Sequence, residues 1–405
     1  MFTYLKERVD LRIAFAALAL SVVGIVSVYS ATFDAHVGEI FSRQLYFLAA
    51  GIFVAAIVTL IPFRTLQMLA LPVYIAAIAM LVGVLLLGRT VSGSTSWFNL
   101  GLFRVQPSEF AKIATILALA AYLSRSDVSL KSFRNLAVAT GIVALPAGLI
   151  MAQPDFGTVL IYGGIFLPIL YWGGATRFTM VAIIAPGAVA VAALFGTTAF
   201  LIAVLLFAVL LYLTMEHRIV AVVVFSLMVT VGISVQAIYD GLKPYQQKRI
   251  DTFLDPGADP LGAGYNISQS KVAVGSGGLL GKGYLRGTQT QLNFIPEQWT
   301  DFIFCVPAEE FGFLGATGVL LLFLLLLYRS LALATIAKSI FASVVAVGVT
   351  GVFATHLFIN VGMALGLLPV VGVPLPFLSY GGSFLLASLM MTGLLLNIYF
   401  NRKEY

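Results

Sequence analysis

Long apolar runs alternate with short polar connections along most of this chain, and this alternation predicts its architecture. Runs of about 17–24 residues match α-helices that cross a hydrocarbon core about 30 Å thick. Short alternating strands of the kind that build outer-membrane barrels are not evident in the sequence. The pattern predicts about twelve spans, near residues 12–32, 44–61, 67–87, 107–123, 135–152, 158–172, 178–195, 199–214, 219–236, 311–328, 340–363 and 384–400.

The composition indicates the same class of protein. Of the 405 residues, 60% are hydrophobic and 10% are charged, whereas soluble domains average about 25% charged residues. So few charges cannot cover a water-facing surface, and we predict an all-α, polytopic membrane helical bundle of about ten to twelve spans. No convincing internal repeat or disordered linker interrupts it, so residues 1–405 are predicted to form a single domain. The single cysteine, Cys305, allows no intrachain disulfide.

The basic residues orient the predicted bundle. Most Lys and Arg residues fall in short loops on one side, which places both termini in the cytoplasm by the positive-inside rule. The N-terminal apolar run resembles a signal peptide, but many spans follow it, so we interpret it as an uncleaved first helix. The net charge of +6 therefore reflects topology, and no nucleic-acid partner is expected. The largest outward loop is 237–310.

Four acidic residues gather in NFIPEQWTDFIFCVPAEEFGF, residues 293–313, beside aromatic side chains: Glu297, Asp301, Glu309 and Glu310. Asp301 lies near the predicted outer membrane surface, where an apolar setting disfavours the charged carboxylate and suits a general base. The alternative is a solvated loop acid or an acid stabilised by a helix N-terminus. Glu309 and Glu310 are interpreted as acids in the first turn of the next span.

A second polar cluster is GSTSWFNLGLFRVQPSEFAK, residues 93–112. It places Arg104 on an outer loop and Pro107 in a first helical turn, where proline is favoured. Glu109 and Lys112 are three residues apart and share a helix face. Ionisable groups inside a membrane are usually paired and often functional, so the pair is either part of a site or a structural link between helices.

Three further stretches combine turn-forming residues with polar groups. In QPDFGT, residues 153–158, Asp155 turns the chain between two spans, and a plain Asx-turn is the favoured interpretation. The glycine-rich stretch 264–291 could cradle a phosphate through its amides, but it departs from the P-loop pattern and flexible loop packing is favoured. In residues 360–383, Pro and Gly break a helix at membrane depth, which is tolerated only when the backbone is buried in protein or lines a cavity. We therefore expect a cavity near the outer leaflet.

Together these stretches resemble the SEDS family (shape, elongation, division and sporulation), and its elongation branch more than its division branch. The resemblance runs from about residue 93 to residue 383 in the family's order, and includes QKRIDTFLDPGADPLGAGYNISQSKVAVGSGGLLGKG, GTQTQLNFIPEQWTDFIF and NVGMALGLLPVVGVPLPFLSYGGS. It implies a peptidoglycan glycosyltransferase that polymerises lipid II outside the cytoplasmic membrane. It also implies work alongside a class B penicillin-binding protein and other elongation-complex proteins.

The resemblance also implies roles for individual residues. Asp301 matches the family's essential acidic residue, and Trp97 matches an important outer-loop tryptophan. The polar positions that line the family's central cavity are matched by Arg104, Glu109, Lys112 and Asp155. As cations for a departing pyrophosphate, the chain offers Arg104, Lys112, Arg249 and Lys271. A divalent cation, Mg²⁺ or Mn²⁺, is possible, although no ligand cluster is legible in the sequence.

One departure from the family concerns the number of spans, since the family typically has ten. The surplus lies near 178–215 and is interpreted as an inserted helix pair that leaves the topology unchanged. Other functions stay open at this point: a lipid II flippase, a division-type polymerase, or a scaffold that only recruits other proteins. Many spans and broken helices also suit alternating access, but the polar outer loop favours the enzyme.

Overall fold

The computed structural model describes residues 9–33, 38–91, 94–99, 104–242, 247, 250–252, 254, 263–292, 294–296 and 298–402. Within these ranges, twelve helices have 17 or more residues, and each corresponds to one predicted span. They are α1 Leu11–Phe33, α2 Gly38–Leu60, α3 Phe63–Leu87, α4 Pro107–Leu123, α5 Phe133–Ala152, α6 Phe156–Trp172, α7 Arg177–Leu194, α8 Thr197–Thr214, α9 Arg218–Asp240, α13 Gly312–Ile336, α14 Ile340–Ala364 and α15 Gly382–Phe400, with α10–α12 in the loop before α13.

Ten of these helices are long and apolar enough to cross a membrane, so the chain is a multi-pass membrane protein. The remaining two, α4 and α6, have 17 residues each. At about 1.5 Å per residue each is about 26 Å long, slightly shorter than a hydrocarbon core of about 30 Å. The helices α4 and α6 are therefore the shortest of the twelve, and Glu109 and Asp155 lie at their N-terminal ends.

The centre of the bundle is built from α4, α14 and α15. In the most apolar stretches of α14 and α15, 72% of the residues are buried, whereas in that of α8 only 6% are. The helix α14 packs against α4, α6 and α13, and α15 packs against α2. Close approach of α6 and α14 depends on glycine, because a Cβ on Gly351 would lie 2.1 Å from Gly164 O.

The surplus helix pair of the sequence analysis corresponds to α7 and α8. Together with α9 these helices enclose a small apolar core of their own, formed by Ala185, Val189 and Met228. The helix α7 packs mainly against α8 and α9 and touches α6 only lightly. These three helices therefore form a peripheral unit beside α6.

A small antiparallel sheet follows α3, and the sequence did not predict it. Its strands are β1 Arg89–Val91, β2 Ser94–Asn99 and β3 Arg104–Val105, with β2 in the middle. Trp97 pairs with Arg89, and Arg104 pairs with Asn99. The sheet leads directly into Pro107, the first residue of α4, so it connects two of the predicted site residues to the start of a central helix.

In residues 263–310 of the large loop, the described chain forms the short helices α10 Ala263–Ser276, α11 Thr288–Gln291 and α12 Cys305–Glu310. The expectation of a flexible glycine-rich loop over 264–291 is therefore wrong for its first half, which is helical. The loop interpretation suits the glycines that follow, because a Cβ on Gly277 or Gly281 would lie 2.1 Å from a carbonyl oxygen of α12. These glycines allow the loop to pack directly on α12.

The two ends of the bundle differ in chemistry. At one end, Phe63, Lys338 and Arg402 line a small cleft. Arg329 forms an ion pair with the buried Asp10 toward this end. At the opposite end lie the large loop, the sheet, the starts of α4 and α6 and the interrupted backbone between α14 and α15. The predicted site residues that the structure describes lie on the loop, on the sheet and at the starts of these two helices.

Candidate functional site

Asp301 lies in a series of turns just before α12, and the main chain around it is held rigidly. Three successive carbonyl oxygens accept hydrogen bonds from α14 and from the segment that follows it. A segment fixed at three neighbouring peptides has little freedom to move its side chains. The bonds run from Tyr380 N to Trp299 O (2.8 Å), from Ser379 Oγ to Thr300 O (2.6 Å) and from Asn360 Nδ2 to Asp301 O (2.8 Å).

The Asp301 side chain is half-buried and lies beside Gly372. A Cβ on Gly372 would be 3.5 Å from Asp301 Oδ2, and Gly372 has a φ of +73°. Glycine adopts this backbone conformation without strain. Because the structural bonds of Asp301 named above use its main chain, its carboxylate can be altered without removing them.

The segment 365–381 joins α14 to α15 without regular helix, as the Pro and Gly pattern predicted. Ser379 organises it, since its Oγ accepts from Leu375 N at 2.7 Å and its carbonyl accepts from Gln44 Nε2 at 3.2 Å. Phe377, which is 1% exposed, has a φ of +67°. Such strain in a non-glycine residue persists only where the surroundings hold it. The buried part of the segment, residues 375–379, is therefore a rigid support for the backbone at Asp301.

Glu109 and Lys112 form the predicted pair on one face of α4. Lys112 Nζ lies 2.8 Å from Glu109 Oε2, and the two side chains are 0% and 4% exposed. Lys112 Nζ also lies 3.2 Å from His356 Nε2 on α14. The pair thus joins two central helices, and the Lys112 charge is compensated inside the protein.

Asp155 is the N-cap of α6, and its side chain bonds the amide three residues on, whereas an Asx-turn bonds the amide two residues on. Its Oδ1 accepts from Thr158 N at 3.1 Å and its Oδ2 accepts from Thr158 Oγ1 at 2.9 Å. Gln106 Nε2 also donates to Asp155 Oδ2 at 3.3 Å, which links the starts of α4 and α6. Arg104 lies two residues before Gln106 and is exposed.

Of the remaining predicted site residues, Lys271 is exposed on α10, and Trp97 is half-buried in β2. The Lys271 side chain packs against Gly366, because a Cβ on Gly366 would lie 2.1 Å from Lys271 Cε. The helix α10 is attached to the end of α14, because Ser270 Oγ donates to Ala364 O at 2.9 Å. Lys271 and Asp301 are therefore both anchored at the same end of α14. Arg249 lies outside the described residues.

Glu309 and Glu310 are not first-turn acids of α13, because they end the preceding short helix α12 and are fully buried. Glu309 Oε1 accepts from Lys282 Nζ at 2.7 Å and from Gln289 N at 2.9 Å, and Oε2 accepts from Thr290 N at 3.0 Å. Burial alone would raise the pKa of Glu309, but these donors more than offset it, and the pKa lies below its ordinary value. Glu309 thus organises the loop around α11.

The pKa of the neighbouring carboxyl group, Glu310, shifts in the opposite direction. Burial raises the pKa of Glu310 above its ordinary value, although Ser30, Gln291 and the Leu285 amide donate to it. Among the described residues, Glu310 Oε2 has no hydrogen-bond partner. Within that part of the chain only Glu309 faces an ammonium group, that of Lys282, and the pKa values of the two adjacent acids therefore differ.

Sequence reasoning missed Asn360 and Ser379, which donate to the carbonyls of Asp301 and Thr300, and His356, which contacts Pro374 O in the supporting segment. The available signal was their polarity within an otherwise apolar run, since buried polar groups must find hydrogen-bond partners. The partners themselves were not legible, because they lie far away in the sequence. Among the described residues, no group of three or more His, Cys, Asp or Glu side chains is arranged to hold a metal ion.

The fold and these contacts define a multi-pass membrane protein with a rigidly supported, loop-borne aspartate at one end of its bundle. The chain belongs to the FtsW/RodA/SpoVE family of cell cycle proteins, whose family model matches residues 8–197 and 195–404. The two matches meet between α7 and α8, within the surplus pair. This membership confirms the resemblance found in the sequence.

Individual relatives match over nearly the whole chain. The chain is 36% identical to the peptidoglycan glycosyltransferase MrdB of Escherichia coli K12, over 98% of this chain and 95% of that protein. It superposes with a TM-score of 0.74 and 29% identity on a chain of a solved peptidoglycan synthase complex, covering 98% of this chain and 99% of that one. The crystal structure of the Thermus thermophilus rod shape determining protein RodA gives a TM-score of 0.64 at 26% identity, with 97% of each chain covered.

Proposed function

We propose that this protein is a peptidoglycan glycosyltransferase that polymerises lipid II into glycan strands during cell elongation. The observation that carries the proposal is the Asp301 carboxylate, half-buried beside Gly372 on a main chain fixed at three successive carbonyls. A catalytic base must be held within hydrogen-bonding reach of the proton that it removes, and such a support provides this rigidity. The glycosyltransferase names of relatives that match almost the whole chain support the choice of reaction.

In the proposed mechanism Asp301 accepts the proton of the acceptor's GlcNAc 4-hydroxyl. The freed oxygen attacks the anomeric carbon of the donor MurNAc and forms the new glycosidic bond. The bond from that carbon to undecaprenyl pyrophosphate breaks, and its electron pair leaves with the pyrophosphate. Attack opposite the leaving group inverts the configuration and gives a β-1,4 linkage.

Negative charge develops on the departing pyrophosphate and needs cations nearby. Arg104 and Lys271 are exposed at the same end of the bundle as Asp301, and we assign this role to them. Lys112 is buried and already paired with Glu109 and His356, so we assign it a supporting role instead. Arg249 stays a prediction from the sequence.

A divalent cation would be held here mainly by the substrate. Magnesium commonly binds through one or two carboxylates together with substrate phosphates, and the described residues bring no larger ligand group together. The donor pyrophosphate would supply most of the ligands.

We further propose that the loop end faces outward across the inner membrane of a bacterium, and that both termini are cytoplasmic. The basic residues near the opposite end, among them Arg329, Lys338 and Arg402, support this orientation. Lipid II then serves as donor and acceptor, with tails in the bilayer and sugars at the outer surface. A class B penicillin-binding protein is the proposed partner, and the match to a chain of a peptidoglycan synthase complex supports it.

The test is polymerisation of lipid II by purified protein, with and without the class B partner. We expect wild type to form glycan strands and Asp301→Asn to form none while keeping its thermal unfolding midpoint. Asp127→Asn is a matched control, because Asp127 is exposed and pairs with the nearby Arg125. Substantial activity in Asp301→Asn would refute the assignment of the base.

Measurements of lipid II movement across vesicles and of partner binding, made beside this assay, separate the flippase and the scaffold from the polymerase. A folded wild-type protein that moves lipid II across vesicles without forming strands would be a flippase. A protein without either activity that still binds the class B partner would be a scaffold. Strands that appear only with the partner would add activation by complex formation to the proposed function.

A further inference from the structure

His356 on α14 has a defined protonation state that follows from its two neighbours. It is 2% exposed, with Nε2 3.2 Å from Lys112 Nζ and Nδ1 2.9 Å from Pro374 O. An ammonium group only donates and a carbonyl oxygen only accepts. Nε2 therefore accepts from Lys112, Nδ1–H donates to Pro374 O, and the ring is a neutral imidazole in one tautomer.

Pro374 belongs to the segment that supports Asp301. The preceding carbonyl, Val373 O, accepts from Asn360 Nδ2 at 2.8 Å, and the same amide donates to Asp301 O at 2.8 Å. Gly372, one residue earlier, lies beside the Asp301 carboxylate. Two neighbouring peptides are thus each held from α14, one by His356 and the other by Asn360.

We propose that His356 is a positioning residue for Asp301. The Glu109–Lys112 pair sets its tautomer, and its Nδ1–H holds Pro374 O, which fixes Gly372 and Val373 against Asp301. This inference rests on the proposed function, because it assigns His356 to the placement of the proposed base. The buried ion pair on α4 thereby acts on the reaction from inside the bundle without touching substrate.

Two conservative substitutions separate the two bonds of the ring. Asparagine places an amide near the position of Nδ1 and keeps the donor to Pro374 O, whereas glutamine reaches the position of Nε2 and keeps only the acceptor for Lys112. We expect His356→Gln to lower kcat about ten- to a hundredfold with little change in the KM for lipid II, the size of effect expected from a misplacement of about 1 Å. We expect His356→Asn to stay within a few-fold of wild type.

A merely structural histidine would give a different result. Activity would then follow the thermal unfolding midpoint, and the asparagine and glutamine variants would not differ at equal stability. That outcome would overturn the proposal. If His356→Gln does not fold, His356→Leu removes both bonds while keeping an apolar side chain near Phe384, and wild-type kcat in that folded variant would also overturn it.

A double-mutant cycle tests whether His356 and Asn360 act through the same segment. Their effects on kcat should be less than additive when His356→Gln is combined with Asn360→Ala, because both release the segment 372–374. The control is Asn397→Ala, since Asn397 is equally buried and also donates to main-chain carbonyls, but at the other end of the bundle. The effect of Asn397→Ala on kcat should add to that of His356→Gln. Additive effects of His356→Gln and Asn360→Ala would show instead that the two residues do not act through the same segment.

Failure of this inference is distinguishable from failure of the proposed function. If wild type forms strands, Asp301→Asn forms none and both His356 variants match wild type, only the positioning role is lost. If folded wild type forms no strands with its partner, the proposed function itself fails. His217→Gln serves as the reference histidine variant, because His217 is exposed before α9.

Discussion

Lys112 Nζ lies 2.8 Å from Glu109 Oε2 between the central helices of the bundle, and both side chains are almost fully buried. Removing one member of such a pair leaves an uncompensated buried charge, which costs about 3–5 kcal/mol. We therefore expect Lys112→Met and Glu109→Leu each to lower the thermal unfolding midpoint strongly. The double variant should be more stable than either single variant.

The surface pair Arg43–Glu39 provides the control for this prediction, because its side chains are 58% and 83% exposed. Exposed pairs contribute about 0–1 kcal/mol, so Glu39→Gln should leave the unfolding midpoint nearly unchanged. Equal losses for Glu39→Gln and Glu109→Leu, measured in the same detergent, would show that burial does not set the strength of the central pair.

Glu309 and Glu310 should respond differently to the same substitution, with a loss of stability expected only for Glu309→Gln. Glu309→Gln removes the charge that Lys282 and two amides stabilise, and a loss of about 1–3 kcal/mol follows from hydrogen bonds to a charged group. Glu310→Gln removes a carboxylate whose charged form is disfavoured by burial. We expect it to be neutral or stabilising at pH 7, and thermal unfolding at that pH checks both variants.

The pH dependence of stability follows from the directions of the two shifts. The pKa of Glu309 is lowered on folding, so its contribution is present above the unfolded value near 4.5 and is lost as the pH falls through the folded pKa. The pKa of Glu310 is raised, so its contribution is full below 4.5 and is lost as the pH rises through the folded pKa. Unfolding midpoints from pH 3 to 7 should therefore show a weaker loss on acidification in Glu309→Gln than in wild type. Parallel profiles for the two proteins would contradict this assignment.

Lys271 should matter for the chemical step more than for folding. It is exposed and is proposed to face the departing pyrophosphate, and loss of one group that stabilises developing charge costs about 10²–10³ in kcat. Lys271→Gln should lower kcat by up to this amount with an unchanged unfolding midpoint. Lys338→Gln changes an exposed lysine at the other end of the bundle and should have wild-type kinetics. Similar kcat values for both variants would remove Lys271 from the mechanism.

The sequence predicted the parts of this protein that depend on local patterns. The apolar run at 107–123, the proline at its first turn, the Glu109–Lys112 face and the break after α14 all rest on neighbouring residues, and the structure confirms them. The three-stranded sheet was missed because strands of two to six residues are too short to show a clear alternation. The burial and the hydrogen-bond partners of Glu309 and Glu310 were missed because their donors come from residues 282–291 and from α1.

The site was predictable only in part for the same physical reason. Asp301 could be selected as an acid beside aromatic residues at a membrane surface, but its support could not. Lys112 and His356 are 244 positions apart, and Asn360 reaches Asp301 across 59 positions. No local pattern specifies which distant helix will satisfy a buried polar group, so the network became visible only in three dimensions.

Gly24 on α1 offers a test of the rigid segment from outside the site. A Cβ on Gly24 would lie 2.2 Å from Phe377 O and 2.7 Å from Leu378 Cα, so alanine there must push the segment away from α1. Overpacking of this kind costs about 1–3 kcal/mol. Because Ser379 and Tyr380 in the same segment hold Trp299 and Thr300, we expect Gly24→Ala to lower both the unfolding midpoint and kcat.

The control for Gly24→Ala is Gly141→Ala on α5, where a Cβ would meet nothing within 4 Å. Alanine in an unhindered helix is favoured over glycine by about 1 kcal/mol, so this variant should be slightly more stable and fully active. The two substitutions add the same methyl group to a membrane helix, and only the contact with Phe377 and Leu378 distinguishes them. Wild-type kcat in a folded Gly24→Ala would mean that the segment tolerates displacement, and the backbone at Asp301 would then not depend on its position.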